Sequence, residues 1–141
     1  MKSPQSYKSR NRTPRTKQGK RLHFNKKFYN SAAWITARSA YIHALTERQI
    51  KELELSPDPR NISLLNKVPL CEQCYRLFKA EAYDIAETGT ELDHIIPVNP
   101  KNALDSEGYG KPLDLDNFQL LCSRHHAKKS QRDNRINKKR K

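Results

Sequence analysis

The sequence predicts a small α+β domain: one amphipathic helix, a cysteine-bearing turn, then strand, loop, strand and helix. Three observations predict it. An apolar stripe at helical spacing begins near residue 26, two short β-rich runs flank a turn-rich loop late in the chain, and two ligand pairs at x₂ spacing bracket those runs. At 141 residues, 35% hydrophobic and 30% charged, the chain holds one modest core, which excludes a large multidomain enzyme. Its mean hydropathy of −0.99 makes that core thin, and thin cores need a staple. No run approaches the roughly 18 apolar residues of a membrane span, and MKSPQSYKSR lacks the apolar stretch of an export signal. The expectation is a cytoplasmic protein with no membrane partner.

Each element has its own signal. Residues 1–25 are polar and basic with two prolines, and read as a disordered arm; residues 26–132 form the domain, and 133–141 a basic tail. Phe28, Ala32, Trp34, Ala37, Tyr41, Ile42 and Leu45 lie on one helical face, with Trp34 as the packing anchor. That helix runs to about residue 50 or a little beyond and ends at Ser56-Pro57-Asp58-Pro59, where prolines remove amide donors. A short connection leads to Val68-Pro69-Leu70-Cys71. Residues 75–87 fit a short helix or a hairpin equally. Glu91–Val98 (ELDHIIPV) and Phe118–Cys122 (FQLLC) are the β-rich runs, joined by the loop 99–117. After Cys122, Ser123 is available as an N-cap for a basic helix that frays near the chain end.

Three cysteines are an odd count, which argues against a disulfide framework. Cys71-Glu-Gln-Cys74 has the spacing with which two thiolates grip one ion, and Cys122-Ser-Arg-His125 supplies a matching pair whose histidine takes the fourth tetrahedral corner. One structural Zn²⁺ held by Cys71, Cys74, Cys122 and His125 would close the strand–loop–strand. The histidine next in sequence, His126, points about 100° away on a helix, so one can face the zinc and the other a reaction centre. Spacing favours His125 on zinc, and the sequence permits the reverse.

Charge is distributed unevenly. Residues 1–46 hold 11 Lys and Arg and no Asp or Glu, residues 47–122 hold 8 against 14, and residues 123–141 hold 9 against 1. Basic ends flanking an acidic middle suit a polyanion partner gripped at the ends while the middle supplies carboxylates. Nucleic acid leads, with simple solubilising tails as the plainer reading. Lys128, Lys129, Arg132 and Arg135 on the last helix are the candidate phosphate contacts. Asp105, Asp114 and Asp116 read as turn formers, His43 as helix surface and His23 as part of the arm.

Four motifs in order, LCEQC (70–74), ELDHIIPV (91–98), DLDNFQLLC (114–122) and RHHAKKS (124–130), resemble the HNH endonuclease family, in its bacteriophage type with a CxxC zinc clamp. The family pattern usually ends C-x-x-C-H with a later lysine and threonine. Here it reads Cys122-x-x-His125-His126 with Lys129 and Ser130. The resemblance spans roughly residues 28–132 and implies a ββα-metal (His-Me finger) nuclease fold preceded by an additional N-terminal helix. It further implies that Asp93 and His126 bind a catalytic divalent cation (Mg²⁺, Mn²⁺, Ni²⁺ or Zn²⁺), that His94 is the general base, and that Asn117 fixes the loop and orients His94. The implied reaction is hydrolysis of DNA phosphodiesters to 5′-phosphate and 3′-hydroxyl ends in a bacterial host cytoplasm, with a phage terminase large subunit as a partner. A zinc-stabilised DNA-binding module without catalysis and an RNA-directed nuclease are the rival expectations. On a regular strand Asp93 and His94 face opposite ways, so the strand must distort or end there if both serve one site.

Overall fold

A computed structural model describes residues 25–139. Residues 1–24, which include His23 and nearly all of the expected arm, lie outside the described residues. A helical turn over 25–29 leads into α1 (Ala32–Leu55). Ser31 caps α1 by accepting from the Trp34 amide, and its hydroxyl donates to the Phe28 carbonyl at 2.7 Å. The buried residues of α1 are Trp34, Leu45, Gln49 and Leu53. That stripe is longer and narrower than the predicted one, for Ala32 is exposed and Ile42 half-buried. Gln49 sits inside the stripe because it closes the Leu70 peptide, accepting from its amide at 2.7 Å and donating to its carbonyl at 3.3 Å.

Where the sequence suggested only a connection, a six-residue helix α2 (Pro59–Leu64) forms. Asp58 caps it by accepting from the Asn61 amide, and Pro59 occupies its first turn. The same proline pair that stops α1 therefore starts α2. Helix α3 (Glu72–Lys79) begins at the first cysteine pair, with the Cys71 sulfur accepting from the Cys74 amide. The open question over 75–87 resolves as the helix: α3 covers the start, no strand forms in the rest, and an isolated antiparallel bridge from Thr88 to Leu70 lies just outside the segment.

Strands β1 (Glu91–His94) and β2 (Phe118–Leu121) pair antiparallel, with Glu91 opposite Leu121 and His94 opposite Phe118. β1 is half as long as predicted. Past His94 the chain leaves the ladder because the Ile95 amide donates to the Asn117 carbonyl and the Ile96 amide to the Asn117 side chain. Asn117 ends a 3₁₀ turn, Leu115–Asn117, just before β2. Helix α4 (Ser123–Lys139) follows. Ser123 is its first residue, not its cap, since Cys122 occupies the preceding position and its carbonyl accepts from the His126 amide.

The hairpin divides the core. On one side Leu53, Leu64, Leu70, Tyr75, Phe78, Ala86 and Leu121 surround the three cysteines. On the other, Phe28, Trp34, Ala103 and Phe118 pack with Tyr41, Leu92 and Val98. Glu72 ties the parts together: its carboxylate accepts from the Tyr41 hydroxyl of α1 and from the Leu120 amide of β2. Asn25 anchors the entering chain to the loop by accepting from the Ala103 amide. Among the described residues no helix is long and apolar enough to cross a membrane.

Candidate active site

The hairpin and the start of α4 carry two sites. The first is closed. Cys71, Cys74, Cys122 and His125 are all buried, and one ligand atom from each lies within 4.8 Å of the others. His125 Nδ1 sits 3.5 Å from the sulfurs of Cys71 and Cys74 and 3.4 Å from that of Cys122. Its Nε2 faces the Tyr83 hydroxyl at 3.5 Å, the outer partner that keeps Nδ1 free to ligate. Burial pushes the Cys74 thiol up to about 12, reinforced by its contacts with Cys71 and Cys122. Burial acts on Cys122 in the same sense, but hydrogen bonds from the His125 amide, the neighbouring thiols and the Arg124 amide together hold it below the ordinary value. Three crowded sulfurs and one unprotonated imidazole nitrogen are a tetrahedral donor set suited to a structural metal such as zinc. A cation among them offsets the burial that keeps Cys74 protonated.

The second site is half-buried and lies at the end of β1. The strand's last two residues keep the alternation of a regular strand, so no distortion brings them together. Asp93, paired with Gln119 in the register, faces α4. His94, paired with Phe118, faces α1 and packs its ring 5.3 Å from Trp34 and 5.4 Å from Phe118. His94 Nε2 lies 2.9 Å from the Pro112 carbonyl. A carbonyl only accepts, so Nε2 bears the proton and Nδ1 is the basic nitrogen. Nδ1 has no partner among the described residues, and no buried side-chain nitrogen or oxygen is left unpaired. The ring as a whole is buried, 6% exposed. Burial holds the imidazole pKa below the usual 6.5, against the opposing pull of the Pro112 carbonyl and Asp93 and with the help of Lys129.

Asp93 Oδ1 lies 3.7 Å from His126 Nε2, and its Oδ2 accepts from Lys129 at 3.0 Å and from Gln119 at 3.2 Å. Asp93 and His126 thus offer one hard oxygen and one nitrogen at a half-buried edge, close enough to share one divalent cation. Asn117 grips the loop instead of the base. Its amide donates to the carbonyls of Ile96 and Lys111, and its side-chain oxygen accepts from the Ile96 amide. It reaches His94 only through the next residue, Pro112. Gly110 permits this closure, because a Cβ there would stand 2.0 Å from the Ile96 carbonyl oxygen and 2.6 Å from Asn117 Nδ2.

Of the four basic residues expected to face phosphate, Lys128, Arg132 and Arg135 are exposed. Lys129 is not an outward contact: it is 5% exposed, and its ammonium bonds Asp93, the His94 carbonyl at 2.8 Å and Asp133. The reason is position, since α4 packs this face onto β1. Asp105 and Asp114 do form turns, each accepting from an amide two residues on. His43 is exposed on α1 beside Glu47. Sequence reasoning missed Asp133, Gln119 and Pro112. The Lys129/Asp133 spacing of four was the one signal available; nothing in the sequence marks the Pro112 carbonyl.

Residues 71–132 match the HNH endonuclease family. The match covers 62 of the chain's 141 residues. Comparisons with curated proteins and with solved structures return no match. Over the matched segment the hairpin, α4 and the cysteine–histidine cluster make up an α+β, ββα-metal arrangement, and the family points to nuclease-type or DNA-binding work. The described helix α1 lies ahead of the matched segment, and its Trp34 packs against the His94 ring.

Proposed function

We propose that the protein is a metal-dependent endonuclease that hydrolyses DNA phosphodiester bonds. The observation that carries this reading is His94: a neutral imidazole with one tautomer fixed by the Pro112 carbonyl and an Nδ1 without a partner among the described residues, next in the chain to Asp93, which meets His126. A histidine held only for structure would use both of its ring nitrogens. A phosphodiester resists attack because the nucleophile must approach an anion and the leaving oxygen gathers charge. A divalent cation held by Asp93 and His126 would offset that charge when bound. His94 Nδ1 takes a proton from water, the water oxygen bonds to phosphorus, the bond from phosphorus to O3′ breaks, and the alkoxide released takes a proton from solvent water to become the 3′-hydroxyl. Trp34 and Phe118 hold the ring and exclude water from one face of it. Asn117 keeps the loop that presents Pro112 in place.

The reading is tested by incubating supercoiled plasmid with wild type and His94→Ala in Mg²⁺, Mn²⁺ and Ni²⁺. Nicking or linearisation by wild type that falls by 10²–10⁴-fold in the variant, about the usual worth of a general base, supports it. Equal cleavage by both assigns the base elsewhere. A second reading, DNA binding without hydrolysis, draws on Lys129, whose ammonium already neutralises Asp93; retained binding with no cleavage in any cation would favour it. Faster cleavage of RNA than of DNA would replace the substrate. Association with a phage terminase large subunit rests on family resemblance and is tested by co-purification.

A further inference from the structure

Beside the reaction centre, between α3 and α4, a groove of about 320 Å³ opens over the β2 face that carries Gln119. Gln73, Arg76 and Tyr83 line it on one side, Lys128 and Arg132 on the other, and no carboxylate lines it. Among the described residues, Arg76, Lys128 and Arg132 have no carboxylate within ion-pair distance, whereas Lys129 at the floor is paired twice. The contrast with the hollow on the far side of Arg76 is sharp. There two carboxylates, Glu52 and Glu72, stand among Arg48, Arg76 and Lys79, so most of the positive charge is offset. Gln73 accepts two hydrogen bonds from Arg76, which fixes the guanidinium and leaves its remaining donors unused.

Three unpaired cations around one concavity repel each other, and the fold keeps them there without a counter-charge. The groove also leads to the chemistry, because Gln119 on its floor donates to Asp93, the proposed metal ligand. A strand whose scissile phosphate sits at Asp93 and His126 would lay its neighbouring phosphates along this groove. We propose that the groove between α3 and α4 is the track for the DNA backbone on one side of the cut, with Arg76, Lys128 and Arg132 as its phosphate contacts. The helix that begins at the Cys71–Cys74 pair then serves the nucleic-acid surface as well as the clamp, since it carries Arg76 two residues beyond Cys74. This rests on the endonuclease reading, and binding separates the two.

The experiment measures binding of a fluorescent DNA duplex to His94→Ala protein by anisotropy across a salt series. Arg76→Gln, Lys128→Gln and Arg132→Gln are compared with Lys51→Gln, an exposed α1 residue away from the groove. Each groove variant is expected to reduce the slope of log K against log salt by about 0.9, and the triple variant by between two and three, with zinc content unchanged. The charge-keeping Lys128→Arg should leave the slope as it was. If Arg76→Gln loses zinc, Lys128→Gln and Arg132→Gln carry the same expectation. An unchanged slope in the triple variant, or an equal drop with Lys51→Gln, overturns the track. Absent cleavage by wild type together with the slope change removes hydrolysis and keeps the track. Intact cleavage with no slope change does the reverse.

Discussion

The two ligand groups around the β-hairpin are built on opposite principles. In one, Cys71, Cys74, Cys122 and His125 are all buried, and each turns its ligand atom inward to a single point. In the other, Asp93 and His126 meet at a half-buried edge, and the His94 Nδ1 has no partner among the described residues. Adjacent residues supply both groups: His125 goes to the clamp and His126 to Asp93, since neighbours on a helix point about 100° apart. A closed donor set holds a fold together, and an open one leaves positions for substrate. The domain is small enough that the rigidity of the second depends on the first.

The strongest way to break that division is to empty the clamp. Structural zinc supplies on the order of 10 kcal/mol in small metal domains, so chelation, or Cys71→Ala, should abolish cooperative thermal unfolding followed by circular dichroism. A melting transition unchanged after chelation and dialysis would remove the clamp from the account. Next in size is Lys129→Ala. It leaves Asp93 and Asp133 facing each other without the buried ammonium between them, and should cost about 3–5 kcal/mol in urea unfolding. The smallest effect is on pH. Because burial depresses the His94 pKa, the base stays deprotonated as pH falls to 6.5, and the acid limb of the cleavage rate should lie below that value. Stability shifts in the matching direction: the unfolded chain takes up this proton at higher pH than the native one, so His94 costs stability as pH drops below 6.5. An acid limb above pH 7 would show a base in a more polar setting.

Much of the clamp was legible in the sequence because its information is local. Two x₂ spacings name the four ligands, and helix geometry sends His125 and His126 in different directions. The reaction centre was legible only as a set of residues. That Pro112 fixes the His94 tautomer depends on an 18-residue loop folding back, held by Asn117 and the space at Gly110. Lys129 was expected among the phosphate contacts because composition cannot tell which face of a basic helix is packed. Helix α2 was overlooked because its prolines read as breakers, although Asp58-Pro59 is also a helix start. The shortened β1 follows from the Asn117 hydrogen bonds, which no local pattern announces.

The division between clamp and reaction centre is tested most directly by His125→Ala and His126→Ala side by side, each measured for bound zinc and for plasmid cleavage. The expected result is that His125→Ala loses the metal and the cooperative melt, while His126→Ala keeps one zinc and its melt and loses cleavage. Release of zinc by His126→Ala, with the metal retained in His125→Ala, would contradict the account.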